Sequence, residues 1–463
     1  MIQIKDLKTV LSDLVFEMER DLPYASALAM EEGGERIAVQ TREETAELID
    51  PRRGVVFSAF TGSHFIEAST HSLEPKELAR TVRALTSRAK DLGIHYNGIL
   101  IDPGEKRRED FRVPCEIHPE TVSLQDKLTL GRKMRDFLHG CDPQVVQAVF
   151  QYAYLRKKEL FVNRHRVLYQ HIPRVQAVAF VVMKENGRSA QLHAGQAKQG
   201  GYERAALTED KLRQMVTDCG RILSAERLSP GIYDCIFSPE FAGIFAHEAF
   251  GHGTETDMFL KRRARGEQYL GKQVASKLVD LYDSPVLKGE AASFFFDHEG
   301  AISKETKIIE KGILKSGITD LNSATRLKIS RTANGRRESF RRKAYARMTN
   351  TTFGPGDHTL EEMLASISFG YLLSYPSNGM EDPKGWGIQL EGYMAEEIRE
   401  GRLTGKVYSP VIVTGYVPDL LMSISMMGKE VEITGLGMCG KGHKEWVKVT
   451  DGGPFLRLCA RLS

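Results

Sequence analysis

The pattern of helix and strand signals in the sequence changes near residue 225, and this change constrains the fold more than any other feature. Before it, helix-period segments alternate with β-branched and aromatic runs such as GVVFSAF and VQAVAFVVM. After it, glycine is more frequent, and turns separate strand patterns such as GIYDCIFS and VYSPVIVTGYV. Because 463 residues exceed the size of one hydrophobic core, we predict an α+β protein with two domains. The first (1–224) carries helices on a mixed sheet, and the second (225–463) is β-rich.

The cysteines and the first residues of the chain indicate a reducing compartment. The 6 cysteines are scattered without a CxxC motif, so no disulfide framework is expected. The opening segment MIQIKDLKTVLSDLVFEMER carries acidic residues throughout and reads as an amphipathic helix, not as a signal peptide. No apolar run in the sequence reaches the length of a membrane span. We therefore expect a cytoplasmic protein that has no membrane partner.

The charge pattern does not indicate nucleic-acid binding. The net charge of +3 is small for a chain of this length. Two basic clusters, KRRARGE from Lys261 and RRESFRRK from Arg336, contain interleaved acidic residues and no series of aromatic residues for stacking on bases. We interpret both clusters as solvated surface.

The segment SPEFAGIFAHEAFGH contains the clearest chemical pattern. Ser238 is a suitable N-cap for a helix in which Glu248 follows His247, and His252 lies five residues after His247. In the HExxH zinc helix the histidines are four apart and face one metal. At a spacing of five they point roughly 140° apart on an ideal helix. A π-type turn would realign them, and so would unwinding of the chain at Gly251.

The sequence alone leaves the nature of this site open. A glutamate and two histidines on an otherwise apolar helix need a partner, and a metal is one possible partner. Two ordinary histidines near a helix end are the alternative. A catalytic zinc also needs a third protein ligand and an open position. Glu255, Asp257 and Cys439 are candidates for that ligand, and their spacing does not choose among them.

Five motifs in order resemble those of the TldD/PmbA family of bacterial and archaeal metallopeptidases. They are HEAFGHGTETD, FFDHEGAISKETKIIEKGIL, TANGRRESFRRKAYARMTNTTFGPG, MEDPKGWGIQ and GLGMCGKG. The HExxxH motif is similar to that of the TldD-type, catalytic branch, because the PmbA-type branch lacks it. The resemblance implies that His247, His252 and Cys439 bind Zn²⁺ and that Glu248 activates a zinc-bound water. It also implies a C-terminal domain in which a curved sheet packs against the zinc helix.

The resemblance further implies a substrate class and a partner. Members of the family resemble proteases for unfolded or extended peptides that enter a dimer cavity. Arg347, Thr349, Asn350 and Thr351 offer donors and acceptors suited to holding such a peptide by its backbone. The expected assembly is a homodimer or a heterodimer with a PmbA-like subunit.

A non-enzymatic function is the alternative prediction. The chain would then be a regulatory or interaction protein, such as a modulator of DNA gyrase, and HEAFGH would be a structural element. Steeply salt-dependent DNA binding would favour this alternative.

Overall fold

The computed structural model describes residues 2–96, 99–443 and 445–463. The strands of its first half are β1 (Tyr24–Gln40), β2 (Glu44–Phe60), β3 (Phe65–Thr70), β4 (Arg107–Arg112), β5 (Val145–Asn163), β6 (Arg166–Glu185) and β7 (Arg188–Gln199). They form one sheet in the order β3-β2-β1-β5-β6-β4, and β7 also pairs with β6. The β4–β6 pair is parallel, whereas the other neighbours are antiparallel. The predicted mixed sheet is therefore confirmed.

The helices of the first half follow the sequence pattern closely. They are α1 (Lys8–Glu19), α2 (Pro75–Asp91), α3 (Leu124–Cys141) and α4 (Glu209–Leu223). The first two bury their apolar faces in one cluster with β1 and β2, and the last two bury theirs in a second cluster with β5 to β7. Ser123, a residue type that favours this position, caps α3: its hydroxyl accepts a hydrogen bond from the Asp126 N–H at 3.1 Å.

The second half contains many short strands and a closed barrel. Its strands are β8 (Gly231–Phe237), β9 (Leu281–Asp283), β10 (Thr306–Glu310), β11 (Ile313–Leu314), β12 (Gly335–Arg336), β13 (Tyr345–Ala346), β14 (Asn350–Phe353), β15 (Phe369–Glu381), β16 (Gly387–Arg399), β17 (Arg402–Tyr408), β18 (Val411–Tyr416), β19 (Met426–Met427), β20 (Glu432–Thr434), β21 (Met438–Lys441), β22 (Glu445–Lys448), β23 (Thr450–Gly453) and β24 (Leu456–Leu462). Pairing in the order β15-β8-β24-β18-β16, with β16 returning to β15, closes the barrel. A second sheet has the order β11-β10-β9-β14-β23-β20.

Helix α5 (Pro239–Ala246) lies between the barrel and the second sheet. Its Phe241 and Phe245 rings lie 5.0 Å and 5.8 Å from the Phe237 ring of β8, measured between centroids. On the opposite side, a Cβ on Gly243 would lie 2.8 Å from the Gly452 nitrogen of β23. The predicted packing of this helix on a curved sheet is confirmed. The remaining α-helices of the described residues are α6 (Thr256–Leu260), α7 (Leu321–Leu327), α8 (Leu360–Ala365) and α9 (Val417–Met422).

Side-chain hydrogen bonds join the two halves. The Gln170 amide of β6 accepts from the Phe295 N–H at 2.9 Å and donates to the Phe296 carbonyl at 3.1 Å. The predicted boundary between residues 224 and 225 falls between α4 and β8 and stays a prediction. Over the described ranges, no helix has both the length and the hydropathy needed to cross a membrane.

The basic cluster that begins at Arg336 is only in part the solvated surface that the sequence predicts. The Arg336 and Arg337 side chains are only 5% and 3% exposed. Arg336 donates to the Lys448 carbonyl at 2.6 Å, and Arg337 donates to the Glu67 carboxylate of β3 at 2.7 Å. The prediction is wrong for these two residues because their guanidinium groups bind acceptors that are distant in sequence. It holds for Arg341, Arg342 and Lys343, which are exposed.

Candidate metal centre

The unusual histidine spacing is accommodated by a π turn. Ser238 caps α5 by accepting from the Phe241 N–H at 3.3 Å, as predicted. After Ala246 the helix widens into a π-helical turn, His247–Gly251, in which the His252 N–H donates to the His247 carbonyl. This i→i+5 pattern brings residues five apart onto one face. The π-turn alternative of the sequence analysis is therefore confirmed.

Gly251 is needed for space and not for unusual backbone angles. Its φ of −67° is ordinary for a helix, so unwinding does not occur there. A Cβ at this position would overlap the sulfur atom of Met348, which is itself fully buried. The glycine thus lets the π turn approach the segment that leads into β14.

Three potential metal ligands converge at this turn. The ligand atoms of His247, His252 and Cys439 all lie within 4.8 Å of one another. The Cys439 Sγ is 3.4 Å from the His252 Nε2. Ligand bonds of normal length to a tetrahedral zinc would place a thiolate and an imidazole nitrogen about 3.6 Å apart. The His247 Nδ1 is buried and has no hydrogen-bond partner among the described residues. The donor set and the spacing fit a zinc ion.

Electrostatics at the cluster favour the metal-binding form of the cysteine. Burial raises the pKa of the Cys439 thiol, but the His252 and His247 imidazoles outweigh burial and hold that pKa well below its usual value. Burial lowers the pKa of His252, but Cys439 and Glu255 outweigh it and raise that pKa well above its usual value. A thiolate next to two imidazoles is the electronic arrangement that binds Zn²⁺.

Glu255 orients a histidine and is not a member of the ligand cluster. Its carboxylate lies 3.2 Å from the His252 Nδ1, on the opposite side of the ring from the Nε2 that faces Cys439. Lys441 donates to the same carboxylate at 2.9 Å. Burial raises the pKa of Glu255, but Lys441 and His252 outweigh it and hold that pKa at about 2. The ionised carboxylate thus keeps a proton on Nδ1 and leaves Nε2 free for a metal.

Asp257, the other local candidate for a ligand, also binds lysines. It accepts from Lys441 at 2.6 Å and from Lys261 at 3.1 Å. Because Lys441 and Cys439 share β21, this ion pair ties the strand that carries the thiol to the segment that follows the histidines. The structure therefore selects Cys439, from the three candidates of the sequence analysis, as the side chain that meets both histidines.

The four residues predicted to bind substrate lie in the interior. Arg347, Thr349, Asn350 and Thr351 are at most 1% exposed. Arg347 donates to the Cys439 carbonyl at 2.6 Å and so holds the backbone of the candidate ligand. Strand β14 is paired on both edges, with β9 and with β23. The structure therefore favours a supporting role for these residues over direct contact with a peptide, and substrate binding by them stays a prediction.

Asp283 organises this interior and has no recognisable signal in the sequence. It is fully buried in β9 and accepts from the Thr349 N–H at 2.8 Å, from the Thr349 hydroxyl at 2.7 Å and from the Thr351 hydroxyl at 3.0 Å. Asn334 donates to it at 2.7 Å. Its partners lie about fifty or more residues away in the chain, which is why local patterns do not reveal it.

Glu381 is a second residue near the site that the sequence analysis does not single out. Both of its carboxylate oxygens are buried without a hydrogen-bond partner among the described residues. A Cβ on Gly253, next to His252, would lie 3.1 Å from its Oε1. Burial raises the pKa of Glu381 well above its usual value, and the Glu248 carboxylate adds to this effect while His252 opposes it. Glu381 belongs to the motif MEDPKGWGIQ, and this motif is the feature of the sequence that could have indicated it.

Replacing the orienting carboxylate tests this arrangement. We expect Glu255→Gln to weaken zinc binding by about 10-fold to 100-fold, because the amide holds the His252 tautomer less firmly than a carboxylate. Competition with a chromophoric chelator measures the affinity. The exposed Glu267 offers the same change, Glu267→Gln, as a control that should bind zinc normally. Equal affinities in the two variants would contradict the role given to Glu255.

The C-terminal half of the chain matches a known protein family, and sequence relatives cover a larger part of the chain. Residues 230–458 match the family model described as the PmbA/TldA metallopeptidase C-terminal domain. A metalloprotease of Methanocaldococcus jannaschii is 29% identical over 359 residues, which are 77% of this chain and 78% of that protein. A zinc metalloprotease TldD homolog of Saccharolobus solfataricus is 34% identical over 236 residues, which are 49% of this chain and 50% of that protein.

Solved structures extend the likeness to the whole chain. TldE from Thermococcus kodakarensis superimposes with a TM-score of 0.77 at 16% identity and covers 98% of this chain and 100% of its own. A Thermotoga maritima protein, whose name links it to DNA gyrase as a modulator, gives a TM-score of 0.78 at 16% identity, with 99% and 100% covered. At such low identity the likeness shows a shared fold only.

Proposed function

Because the chain belongs to the TldD/PmbA family, we propose that it is a zinc-dependent peptidase that hydrolyses unfolded or extended peptides. The observation that carries the proposal is the convergence of His247, His252 and Cys439 on one point at the π turn. These two imidazoles and one thiolate would hold a zinc ion through three protein ligands, the number that a catalytic site uses. The names of the relatives, metalloprotease and zinc metalloprotease, support the proposal.

Glu248 is the proposed catalytic residue. It lies in the π turn directly after His247, is partly exposed, and its side chain packs against Gly379 of β15. Zinc, when bound, supplies a Lewis acid that polarises a peptide carbonyl and makes water more acidic. Glu248 accepts the proton from the attacking water and delivers a proton to the leaving amine. Glu255 keeps the His252 ring oriented throughout.

The proposed substrate is a chain without tertiary structure. The face of α5 that leads to Glu248 borders a cleft of about 160 Å³ between the two halves of the protein, which is too small to receive a folded domain. An extended peptide could enter it one segment at a time. The restricted access supports the choice of unfolded over folded proteins.

The assembly and the location are also proposals. We infer a dimer, formed with a second copy or with a PmbA-like subunit, because a likeness in fold to TldE extends over the whole chain. The cytoplasm is the inferred location, because all six cysteines are unpaired in the structure.

Zinc-dependent hydrolysis is the direct test of the function. We expect the zinc-loaded protein to cleave fluorescein-labelled, unfolded casein and to leave a folded protein such as green fluorescent protein intact. Removing the metal with 1,10-phenanthroline should abolish cleavage, and adding back zinc should restore it. Size-exclusion chromatography with light scattering checks the dimer in parallel. Cleavage that persists after complete removal of metal would contradict a zinc-dependent mechanism.

The gyrase-modulator alternative has weaker support. One structural neighbour carries that name, at 16% identity. The Arg336 and Arg337 side chains, which begin one of the two basic clusters in the sequence, are bound internally and are not available to DNA. DNA binding whose affinity falls steeply with salt would revive the alternative.

A further inference from the structure

A cleft adjoins the proposed catalytic helix. It has a volume of about 160 Å³ and lies between strand β7 of the first half and helix α5 of the second. The lining residues that matter here are Leu192, Glu240, Ile244, Pro376, Leu436 and Asp451. Neither the family model nor the names of the relatives assign a role to this cleft.

The cleft runs along the face of the helix that carries Glu248. Glu240 and Ile244 line it, and the spacing of four residues from Glu240 to Ile244 and from Ile244 to Glu248 places all three on one side of the helix. A Cβ on Gly379 would lie 3.0 Å from Ile244 and 2.6 Å from Glu248, so both side chains pack on the same point of β15. The cleft therefore borders the helix face that leads to Glu248.

Two carboxylates face this cleft without a cationic partner. Among residues 2–96, 99–443 and 445–463, no lysine, arginine or histidine nitrogen lies within 4.0 Å of the Glu240 or Asp451 carboxylate. Asp451 accepts from the Thr434 hydroxyl at 3.0 Å. No hydrogen bond from the described residues reaches the Glu240 carboxylate, although Glu240 is only partly exposed. The acidic charge of the cleft is thus not neutralised by direct contact.

Two lysines influence the cleft electrostatically without forming an ion pair with its carboxylates, and Lys211 is bonded to Gly195 in the cleft wall. Lys211 donates to the Gly195 carbonyl at 3.0 Å, and Lys448 approaches the Gln176 side chain at 3.5 Å. Burial raises the pKa of Glu240, and the Glu432 and Asp451 carboxylates add to this effect, while Lys211 opposes it. A cation that enters the cleft would relieve this repulsion between carboxylates.

The walls of the cleft match the stem of a long basic side chain. Leu192, Leu436, Ile244 and Pro376 provide apolar contacts along it. Lysine and arginine combine an aliphatic stem with a cationic end, so they bind best where apolar walls lead to carboxylates. Neutral side chains would leave both carboxylates without a cationic partner.

We propose that this cleft is the subsite that selects a lysine or arginine side chain of the peptide substrate, with Asp451 and Glu240 binding its cationic end. The inference rests on the proposed function. Asp451 faces Gly243, four residues before His247, which is about 6 Å along the helix. Glu240 lies eight residues before Glu248, about 12 Å away. A lysine or arginine side chain bound near the scissile bond therefore reaches the Asp451 carboxylate and points towards the Glu240 carboxylate.

The test measures binding, so that it does not depend on hydrolysis. The zinc-loaded Glu248→Gln protein is titrated with short, N-acetylated, fluorescein-labelled peptides of glycine and serine that contain either one lysine or one norleucine. Fluorescence anisotropy gives each Kd. We expect the lysine peptide to bind about 10-fold more tightly, because it forms charge-assisted hydrogen bonds in a partly buried site.

Substitutions in the cleft identify the carboxylates responsible. In the same background, Glu240→Gln and Asp451→Asn should each reduce the preference for lysine, and the double variant should remove it. Glu17→Gln on the exposed side of α1 is the matched control and should keep the preference. Thermal unfolding verifies that each variant is folded. Equal binding of lysine and norleucine peptides, or a preference that survives in the folded double variant, would overturn the proposal.

A third peptide distinguishes the source of the cation. If the norleucine peptide gains the same affinity when its N-terminus is left unacetylated, the cleft recognises the α-amino group, and the assignment to a basic side chain is overturned. Loss of the lysine preference would leave the zinc peptidase proposal intact. Conversely, failure of the wild-type protein to hydrolyse any peptide would leave this binding test unaffected.

Discussion

Glu248→Gln is expected to keep zinc at the wild-type level and to lose about 100-fold to 10,000-fold of peptide hydrolysis. The carboxylate lies beside the ligand cluster but is not part of it, so its replacement by an isosteric amide leaves the three donors in place. An amide cannot accept the proton of the attacking water, and general-base catalysis contributes a factor of this size. Zinc per chain by elemental analysis and kcat/KM on an unfolded substrate together provide the measurement.

A shorter carboxylate separates the chemistry from simple structural damage. Glu248→Asp retains a proton acceptor in an altered position, so it should recover part of the activity that Glu248→Gln loses. If the glutamine variant hydrolyses peptides as fast as the wild type, Glu248 has no role in the reaction. If it also loses its zinc, the residue supports the metal site instead of the chemistry.

Cys439→Ser is expected to reduce bound zinc from near one ion per chain to a small fraction and to abolish hydrolysis. The thiolate is the only anionic donor in the ligand cluster, and a serine hydroxyl is a far poorer zinc ligand at neutral pH. Two histidines alone would bind the ion weakly. Wild type and variant, purified side by side and analysed for metal, give the measurement.

The chain supplies a matched control for this substitution. Cys459 lies in β24 with its side chain exposed, so Cys459→Ser makes the same chemical change away from the site and should leave zinc unchanged. Zinc that stays with Cys439→Ser would require a different third ligand, with Glu255 the first to consider. Absence of zinc from every form, even after reconstitution, would favour the non-enzymatic alternative.

Local patterns in the sequence were sufficient for the helices and some of the strands of the first half, and for the start of the helix that leads to His247. The cap at Ser123 and the helix start at Ser238 follow from rules that act over three or four residues. The long strands of the mixed sheet follow from runs of β-branched and aromatic residues. These signals depend only on neighbouring residues, so the segment forms the same helix start or strand wherever it lies in the fold.

The pattern HEAFGH narrowed the possible chemistry but did not decide the geometry. Sequence reasoning allowed either a π turn or unwinding at Gly251. The structure has the π turn, and Met348 packs against that glycine. Likewise, the spacing could not choose between Glu255 and Cys439 as the third ligand. The hairpin β21–β22 brings Cys439 to His252 across 187 residues of sequence, while Lys441 of the same strand holds Glu255 at the far side of the imidazole ring.

The sequence by itself determined the α+β class, the capped helices and the presence of a histidine–glutamate–histidine helix, because these depend on periodicity and neighbouring residues. Only the tertiary structure decided the burial of Arg336 and Thr349, the network around Asp283 and the acidic cleft beside α5. Each of these depends on contacts between segments far apart in the chain. The sequence does not distinguish a polar side chain that is solvated from one that is buried against a distant partner or directed into a binding site. Tertiary packing determines which of these environments it has.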